Sequence, residues 1–305
     1  MKVSIVIPVY NGSKSIKELC CRIDTVLSAN DWAYEIVLVD DCSRDNSWEV
    51  MEEINRSEPR VKIIQLMKNF GQHNAILCGL NDADGDVVVT MDDDLQHLPE
   101  EIPKLVRKVS EGYDFVIGAF EDKKDTRFKK LASFIFGWLF ARIFNAPEHL
   151  KFGSFRAMTR AVCKEVRKYK TPYPFVNGIV LSMTGNVANV SVGKAHRQHG
   201  ATNYSPMKLI RLAFNVIINY SSLILNIVAG VGFIVSILSF LIGGYFLFKK
   251  LIVGVDVEGW TSVVVLLSFF NGVLITILSL LGEYMVRIIG EVSNRSQYVV
   301  RKKSL

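Results

Sequence analysis

Two uncharged apolar stretches, Ala213–Phe248 and Thr261–Gly282, follow a long segment of ordinary mixed composition, and this break constrains the fold more than any other feature. As a helix rising about 1.5 Å per residue, the 36 residues of the first would run roughly 54 Å, well past a hydrocarbon core of about 30 Å. Its first part carries Asn215, Asn219, Ser221 and Ser222 and follows Lys208 and Arg211. Residues 206–222 are therefore read as an interfacial helix and 223–248 as a first transmembrane helix. The 22 residues of 261–282 match one further crossing. That leaves 249–260 as a short external loop and 283–305 as a basic tail.

The cationic residues orient such a pair. Lys249 and Lys250 stand in the short loop, whereas Arg287, Arg295, Arg301, Lys302 and Lys303 follow the second stretch. Both termini are then expected to face the cytoplasm, in a multi-pass inner membrane protein. The start, Met1 to Pro8, reads as a strand running into a turn, without a charged leader and cleavage site, so the first domain is expected not to be exported. A net charge of +6 admits anionic partners. No basic stripe is interleaved with aromatics, so the lipid bilayer is the expected partner and nucleic acid is not. The five cysteines, Cys20, Cys21, Cys42, Cys78 and Cys163, are odd in number and lack C-x-x-C spacing. They are read as reduced thiols, neither a disulfide framework nor a zinc site.

Before residue 205, short apolar runs alternate with helix-period segments: Val3–Pro8 then Ser15–Leu27, Glu35–Asp40 then Asp45–Ile54, Val61–Leu66 then Gln72–Asn81, Val87–Asp92 then Pro99–Glu111, and Phe115–Gly118. This order predicts an α/β domain with a parallel sheet covered on both faces. In the first helix Ile16, Leu19, Cys20, Ile23, Val26 and Leu27 share a face, and Ser15 with Glu18 is read as a capping box. Polar residues gather where strands end, at Tyr10-Asn11-Gly12, Asp40-Asp41-Cys42-Ser43 and Asp92-Asp93-Asp94. In an open α/β sheet that is the edge where ligands bind. A lone strand-end Asp such as Asp45 reads first as a helix cap. Three consecutive carboxylates repel one another unless a cation neutralises them. Mg²⁺ or Mn²⁺ suits such oxygen ligands, taking one or two carboxylates together with substrate phosphate.

Together, Ile7-Pro8-Val9-Tyr10-Asn11-Gly12, the segment Val39 to Ser47, Asn69-Phe70-Gly71-Gln72-His73-Asn74-Ala75 and the segment Asp92 to Pro99 resemble family 2 glycosyltransferases of the GT-A fold. More narrowly they are similar to the polyprenyl-phosphate glycosyltransferases, among them dolichol-phosphate mannose synthase, bactoprenol glucosyltransferase and undecaprenyl-phosphate aminoarabinose transferase. The resemblance spans nearly the whole chain, and its specificity lies in the order and spacing of the motifs. It implies a GT-A domain, Rossmann-like with a mostly parallel sheet, over 1–205. It also implies metal-dependent, inverting transfer of one sugar from a nucleotide-sugar, UDP-linked by analogy, to a polyprenyl phosphate such as undecaprenyl phosphate at the cytoplasmic leaflet. By the same resemblance Pro8, Tyr10, Asn11, Asp40 and Asp41 hold the donor nucleoside, Asp92, Asp94 and Gln96 reach the metal at its diphosphate, and Asp93 fills a variable middle position. Arg197, in Arg197-Gln198-His199-Gly200-Ala201-Thr202-Asn203-Tyr204, is implied to close on the diphosphate, since a guanidinium forks two phosphate oxygens. Related membrane enzymes assemble as homo-oligomers, often tetramers.

Three positions depart from the family pattern: Gly12 where Glu is common, Asn203 where Lys is usual, and Ser154 where many relatives carry an Asp regarded as the catalytic base. A sugar hydroxyl needs such a base. A phosphate monoester, with a second pKa of about 6, is already largely dianionic at neutral pH. Ser154 at the catalytic position therefore weakens the case for a base without weakening the case for transfer to a lipid phosphate. What the protein must supply is alignment and stabilisation of the leaving diphosphate. Arg127, in the basic run 123–130, and Arg156, in the intact Phe-Arg pair, are the expected acceptor-phosphate ligands. Residues 128–144 combine Trp138 and large apolar side chains with Lys129, Lys130 and Arg142, the pattern of an interfacial helix. Two alternatives stand beside this reading. One is a non-catalytic scaffold of the same fold, against which the intact acidic run counts; the other is a processive polysaccharide synthase, whose Gln-x-x-Arg-Trp motif is missing, no Arg-Trp pair occurring in the chain.

Overall fold

Strands apolar on both faces must be covered on both faces, and the first four strands follow that rule. The computed structural model describes residues 1–120, 150–171, 174–195, 259–292 and 296–304, with isolated positions at 142–144, 147 and between 228 and 252. Strands β1 (Lys2–Val9), β2 (Ala33–Asp40), β3 (Val61–Leu66) and β4 (Val87–Thr90) are almost wholly buried. They alternate with helices α1 (Ile16–Ser28), α2 (Ser47–Ser57) and α3 (Gln72–Asn81); a 3-10 turn at Pro99–Glu101 then leads into α4 (Ile102–Ser110). Next come β5 (Phe115–Phe120), β6 (Arg156–Thr159), α5 (Arg160–Lys168), α6 (Val176–Leu181), β7 (Val187–Val192), α7 (Trp260–Val292) and β8 (Val300–Ser304).

The eight strands form one sheet in the order β7-β5-β6-β4-β1-β2-β3-β8. Six run one way; β6, between β4 and β5, and β8, at the edge beside β3, run the other. The sheet is thus mostly parallel, as expected. α1 buries Ile16, Leu19, Cys20, Ile23 and Leu27 against it. The capping box does not form: Ser15 has no cap bond to the helix, and its hydroxyl donates to the Gly12 carbonyl. Asp45 sits one residue before the α2 N-cap and accepts from Ser47 N at 3.1 Å, so it does serve that helix start.

Two compact units emerge, one of Met1–Pro206 with Arg295–Leu305 and one of Met207–Asn294. In the second, α7 is 33 residues long, about 50 Å at the usual rise, and runs past the Gly282 boundary expected from sequence. No proline interrupts the charged turns after Gly282, and the helix continues through Gly290. Its segment Phe269–Val286 is the one stretch among the described residues long and apolar enough to cross a membrane, by length and composition. The expected helices at 128–144, 206–222 and 223–248 fall largely or wholly outside the described residues.

The basic tail ends in β8, which gave no strand signal because its five residues are all exposed and mostly polar. Its order comes from pairing with the β3 edge, from Lys302 over the Trp48 ring, from an ion pair between Lys303 and Asp82, and from Ser304 Oγ donating to Asn55 Oδ1 at 2.9 Å.

At the opposite edge of the strands from the polar turns, Glu35 is buried. It accepts from Ser4 Oγ at 2.5 Å, Asp84 N at 2.6 Å and Lys2 Nζ at 2.8 Å, and pairs with Lys62 at 3.0 Å. Burial opposes its ionisation, yet these donors together hold its pKa down at about 2. A depressed folded-state pKa stabilises above the unfolded value near 4.5, and that contribution is lost as pH falls towards 2. Glu35→Gln is expected to cost up to about 3 kcal/mol at pH 7 and much less near pH 2. Thermal unfolding at both pH values measures the difference.

Candidate active site

Three neighbouring strands, β4, β1 and β2, end side by side, and their turns carry the acidic run, Tyr10-Asn11-Gly12 and Asp40-Asp41-Cys42-Ser43. Each turn holds a non-glycine residue in the left-handed region: Asn11 at φ 57°, Cys42 at φ 59° and Leu95 at φ 61°. Such residues persist where the surroundings over-determine them, which is common at ligand sites. The surroundings are visible. Asn11 N donates to Ser43 Oγ at 2.9 Å and its Oδ1 accepts from Arg44 N at 2.8 Å, so the β1 turn is sewn to the β2 loop. Tyr10 is left 44% exposed, a ring face available to a base.

Asp40 and Asp41 are buried and already engaged. Asp40 accepts from Ser43 N at 2.9 Å and Gln65 Nε2 at 3.0 Å. Asp41 accepts from Phe70 N at 2.7 Å and Gly71 N at 2.8 Å, which fastens the β3–α3 loop and its left-handed Gly71. Burial raises the Asp41 pKa in spite of those two amides.

In the acidic turn each carboxylate faces a different way. Asp92 is gripped on both oxygens, by Gln72 Nε2 at 2.6 Å and Ser154 Oγ at 2.6 Å, and its N–H donates to His97 Nδ1 at 3.0 Å. His97 is buried and stacked between Phe120 and Phe155, with ring centroids 5.5 and 5.1 Å away; burial lowers its pKa and keeps it a neutral acceptor. Asp93 turns to the β1 side, where its Oδ2 accepts from Tyr10 N at 3.3 Å. Burial, with Asp92 and Asp94 adjacent, outweighs that bond and pushes its pKa up to about 7. Asp94 accepts from Gln96 N at 3.1 Å and Gln96 Nε2 at 2.8 Å. The turn also grips the segment just after β7, because Ala195 N donates to Gln96 O at 3.2 Å and Lys194 bridges to His97.

Among the described residues no three His, Cys, Asp or Glu side chains gather into a ready cation cage. Asp93 turns away from its neighbours. Asp92 and Asp93 have no lysine or arginine ion pair among the described residues, and the oxygen-only donor set of Asp92, Asp94 and Gln96 fits a hard divalent ion completed by phosphate oxygens.

Arg156 overturns its expected role as an acceptor-phosphate ligand. The β4–β6 register sets it opposite Thr90, only 1% of it is exposed, and Nε donates to Thr90 Oγ1 at 2.9 Å while Nη1 donates to Asn177 Oδ1 at 2.6 Å. Burial brings its pKa down to about 10, so the guanidinium stays charged beneath the acidic turn. Thr90 Oγ1 in turn donates to the Ser154 carbonyl at 3.0 Å. Arg127 and Arg197 lie outside the described residues. Sequence reasoning did not single out Gln72, His97, Thr90 or Asn177. Gln72 and His97 stand inside the quoted motifs, where their spacing from the acidic run was the available signal.

A similar fold occurs in the crystal structure of glucosyl-3-phosphoglycerate synthase from Mycobacterium tuberculosis in complex with Mn²⁺, uridine diphosphate and phosphoglyceric acid. The TM-score is 0.52 at 20% identity, over 71% of this chain and 76% of that one. Mannosyl-3-phosphoglycerate synthase from Rubrobacter xylanophilus gives 0.52 at 17%, over 71% and 72%. A mostly parallel sheet of this order, with an acidic turn after the strand beside β1, defines a glycosyltransferase of the GT-A fold. The chain belongs to glycosyl transferase family 2, whose model matches residues 4–167. It is 34% identical to the uncharacterized glycosyltransferase YkcC of Bacillus subtilis (strain 168), over 99% of this chain and 94% of the relative. It is 33% identical to the undecaprenyl-phosphate 4-deoxy-4-formamido-L-arabinose transferase of Proteus mirabilis (strain HI4320), over 99% and 93%.

Proposed function

We propose that the protein moves one sugar from a nucleotide-sugar, with UDP the favoured nucleotide, to a polyprenyl phosphate, with undecaprenyl phosphate the favoured lipid, at the cytoplasmic face of the membrane. The observation that carries this reading is the state of Ser154: its hydroxyl is spent on bracing Asp92, and residue 154 itself offers no carboxylate to take a proton. That suits an acceptor already ionised. A phosphate oxygen of the lipid forms a bond to the anomeric carbon from the side opposite the diphosphate; the carbon–oxygen bond to the diphosphate breaks, its electron pair stays with the leaving nucleotide, and no proton moves. The chain's residues hold the partners in line and receive charge.

Pro8, Tyr10 and Asn11 face the nucleoside in this reading. Asp40 and Asp41 act through the loops they fasten. Asp92, Asp94 and Gln96 would hold Mg²⁺ or Mn²⁺, which when bound supplies positive charge to the departing diphosphate. Arg197 is the residue proposed to close on the diphosphate; in sequence it comes two residues after Ala195, which is tied to Gln96. Arg127 remains the proposed acceptor-phosphate ligand, while Arg156 positions Ser154 from below.

Chain connectivity supports a two-span anchor. The sheet-bearing unit is left after Pro206 and rejoined from Arg295, where β8 pairs with β3. A segment that begins and ends on one folded unit crosses a bilayer an even number of times. With Phe269–Val286 as one span, 223–248 is the proposed second, which puts both termini on one side, the cytoplasmic side by the Lys and Arg count.

Membranes containing the full chain, incubated with undecaprenyl phosphate, Mg²⁺ or Mn²⁺ and a panel of radiolabelled nucleotide-sugars, are expected to move label into the organic phase for one donor. A chelator should stop the transfer. Label that reaches only hydroxyl acceptors, or transfer indifferent to chelation, would sink the proposal.

A further inference from the structure

Gly12 and Asp93 share one space. A Cβ added to Gly12 would lie closer to the Asp93 carboxylate oxygen than real Cβ atoms come, and 3.2 Å from its Cγ. That oxygen is the one accepting the Tyr10 N–H at 3.3 Å. The rest of the turn is tied elsewhere: Gly12 N donates to Ser47 Oγ at 2.9 Å, and Asn11 N to Ser43 Oγ at 2.9 Å. The Asp93 carboxylate therefore fills the place of a side chain on residue 12 and joins the acidic turn to the Tyr10–Gly12 turn.

We infer that Asp93 is a positioning residue that couples the two halves of the donor site, so that a cation on the acidic turn sets the Tyr10–Gly12 turn for the nucleoside. The inference rests on the nucleotide reading above. In it Asp93 touches neither the cation nor a phosphate. It acts through the Tyr10 N–H, and only a glycine at residue 12 admits its carboxylate.

Uridine separates this coupling from direct contact, because it carries no phosphate with which to meet a cation at Asp92 and Asp94. Any effect of Mg²⁺ on uridine binding must then travel through the protein. Calorimetric titration of the full chain in detergent is expected to show Mg²⁺ tightening uridine about fivefold. Asp93→Ala should abolish that gain, with Mg²⁺ affinity changed by less than about twofold, and Asp93→Asn, whose carbonyl oxygen still accepts the Tyr10 N–H, should keep most of it. Gly12→Ala alone should also lose the gain by displacing the carboxylate. Combined with Asp93→Ala it should do no further harm, since the methyl enters vacated space, whereas independent sites would compound their losses. An Mg²⁺ gain that survives in Asp93→Ala overturns the inference, as does a wild-type chain that binds UDP and Mg²⁺ with no effect of Mg²⁺ on uridine. If the wild-type chain binds neither UDP nor uridine, the nucleotide reading itself fails.

Discussion

Asp94→Ala is expected to lower sugar transfer at least about a hundredfold while leaving the thermal midpoint of the protein close to that of the parent. The size follows from what the carboxylate does in the proposed reaction. With no proton to shuttle, the barrier is lowered by alignment and by stabilising charge on the leaving diphosphate, and deleting one such electrostatic element commonly costs a factor of about 10² to 10³. The small effect on stability follows from the turn. Asp94 is only partly buried, two of its hydrogen bonds, at 2.8 and 3.1 Å, are local to Gln96 two residues on, and removing it relieves repulsion with Asp92 and Asp93. Ser154→Ala is the contrast within the same assay. It removes one hydrogen bond to Asp92, worth roughly 1–2 kcal/mol, and transfer should fall by no more than about tenfold. Rates measured across a Mn²⁺ titration, with Mn²⁺ affinity followed by electron paramagnetic resonance, decide both. An Asp94→Ala chain with parental rate and Mn²⁺ affinity would remove the acidic turn from the chemistry. A Ser154→Ala chain as inactive as Asp94→Ala would mean that the hydroxyl does more than brace Asp92.

The parts of this fold that were legible in sequence are those whose signal is local. β1 to β4 are runs of buried apolar residues bounded by turn formers, α1, α2 and α4 show a single apolar stripe, and α3 is a continuous buried run from Asn74 to Leu80, so alternation of these segments exposes them. The clustering of polar turns at one sheet edge follows from the parallel order. β6 and β8 were not legible, because a short strand of mixed polarity, Arg156–Thr159, and an exposed basic strand owe their structure to a partner edge rather than to their own pattern. The site divides in the same way. The acidic run could be read as a cation site from charge alone, whereas the role of each carboxylate depends on direction: Asp92 towards Gln72 and Ser154, Asp93 towards Tyr10, Asp94 towards Gln96. The Phe155-Arg156 pair pointed to a surface cation because sequence does not report which way a strand residue faces. Gly12 read as a missing contact, and the structure puts the Asp93 carboxylate against it.

Arg156→Leu is expected to damage the fold, not the lipid site. The guanidinium is almost wholly enclosed, bonded to Thr90 Oγ1 and Asn177 Oδ1, with Thr90 passing the constraint to the Ser154 carbonyl and Ser154 passing it to Asp92. Leucine leaves two buried acceptors without donors, each costing about 1–3 kcal/mol, and fills the space incompletely. A total of about 2–5 kcal/mol would lower the thermal midpoint by roughly 5–15 °C in a unit of this size. Lysine, with one compact head, cannot span both acceptors and should recover only part of the loss. At a temperature where the variant is folded, kcat should fall because Asp92 has lost its brace, and KM for polyprenyl phosphate should stay within about threefold, since nothing that touches the lipid has been removed. The surface-ligand role predicts the reverse: an unchanged thermal midpoint with KM for the lipid raised about tenfold or more, as when a charge-assisted bond to phosphate is deleted. The two measurements therefore separate a guanidinium that holds the acceptor from one that holds the floor of the acidic turn.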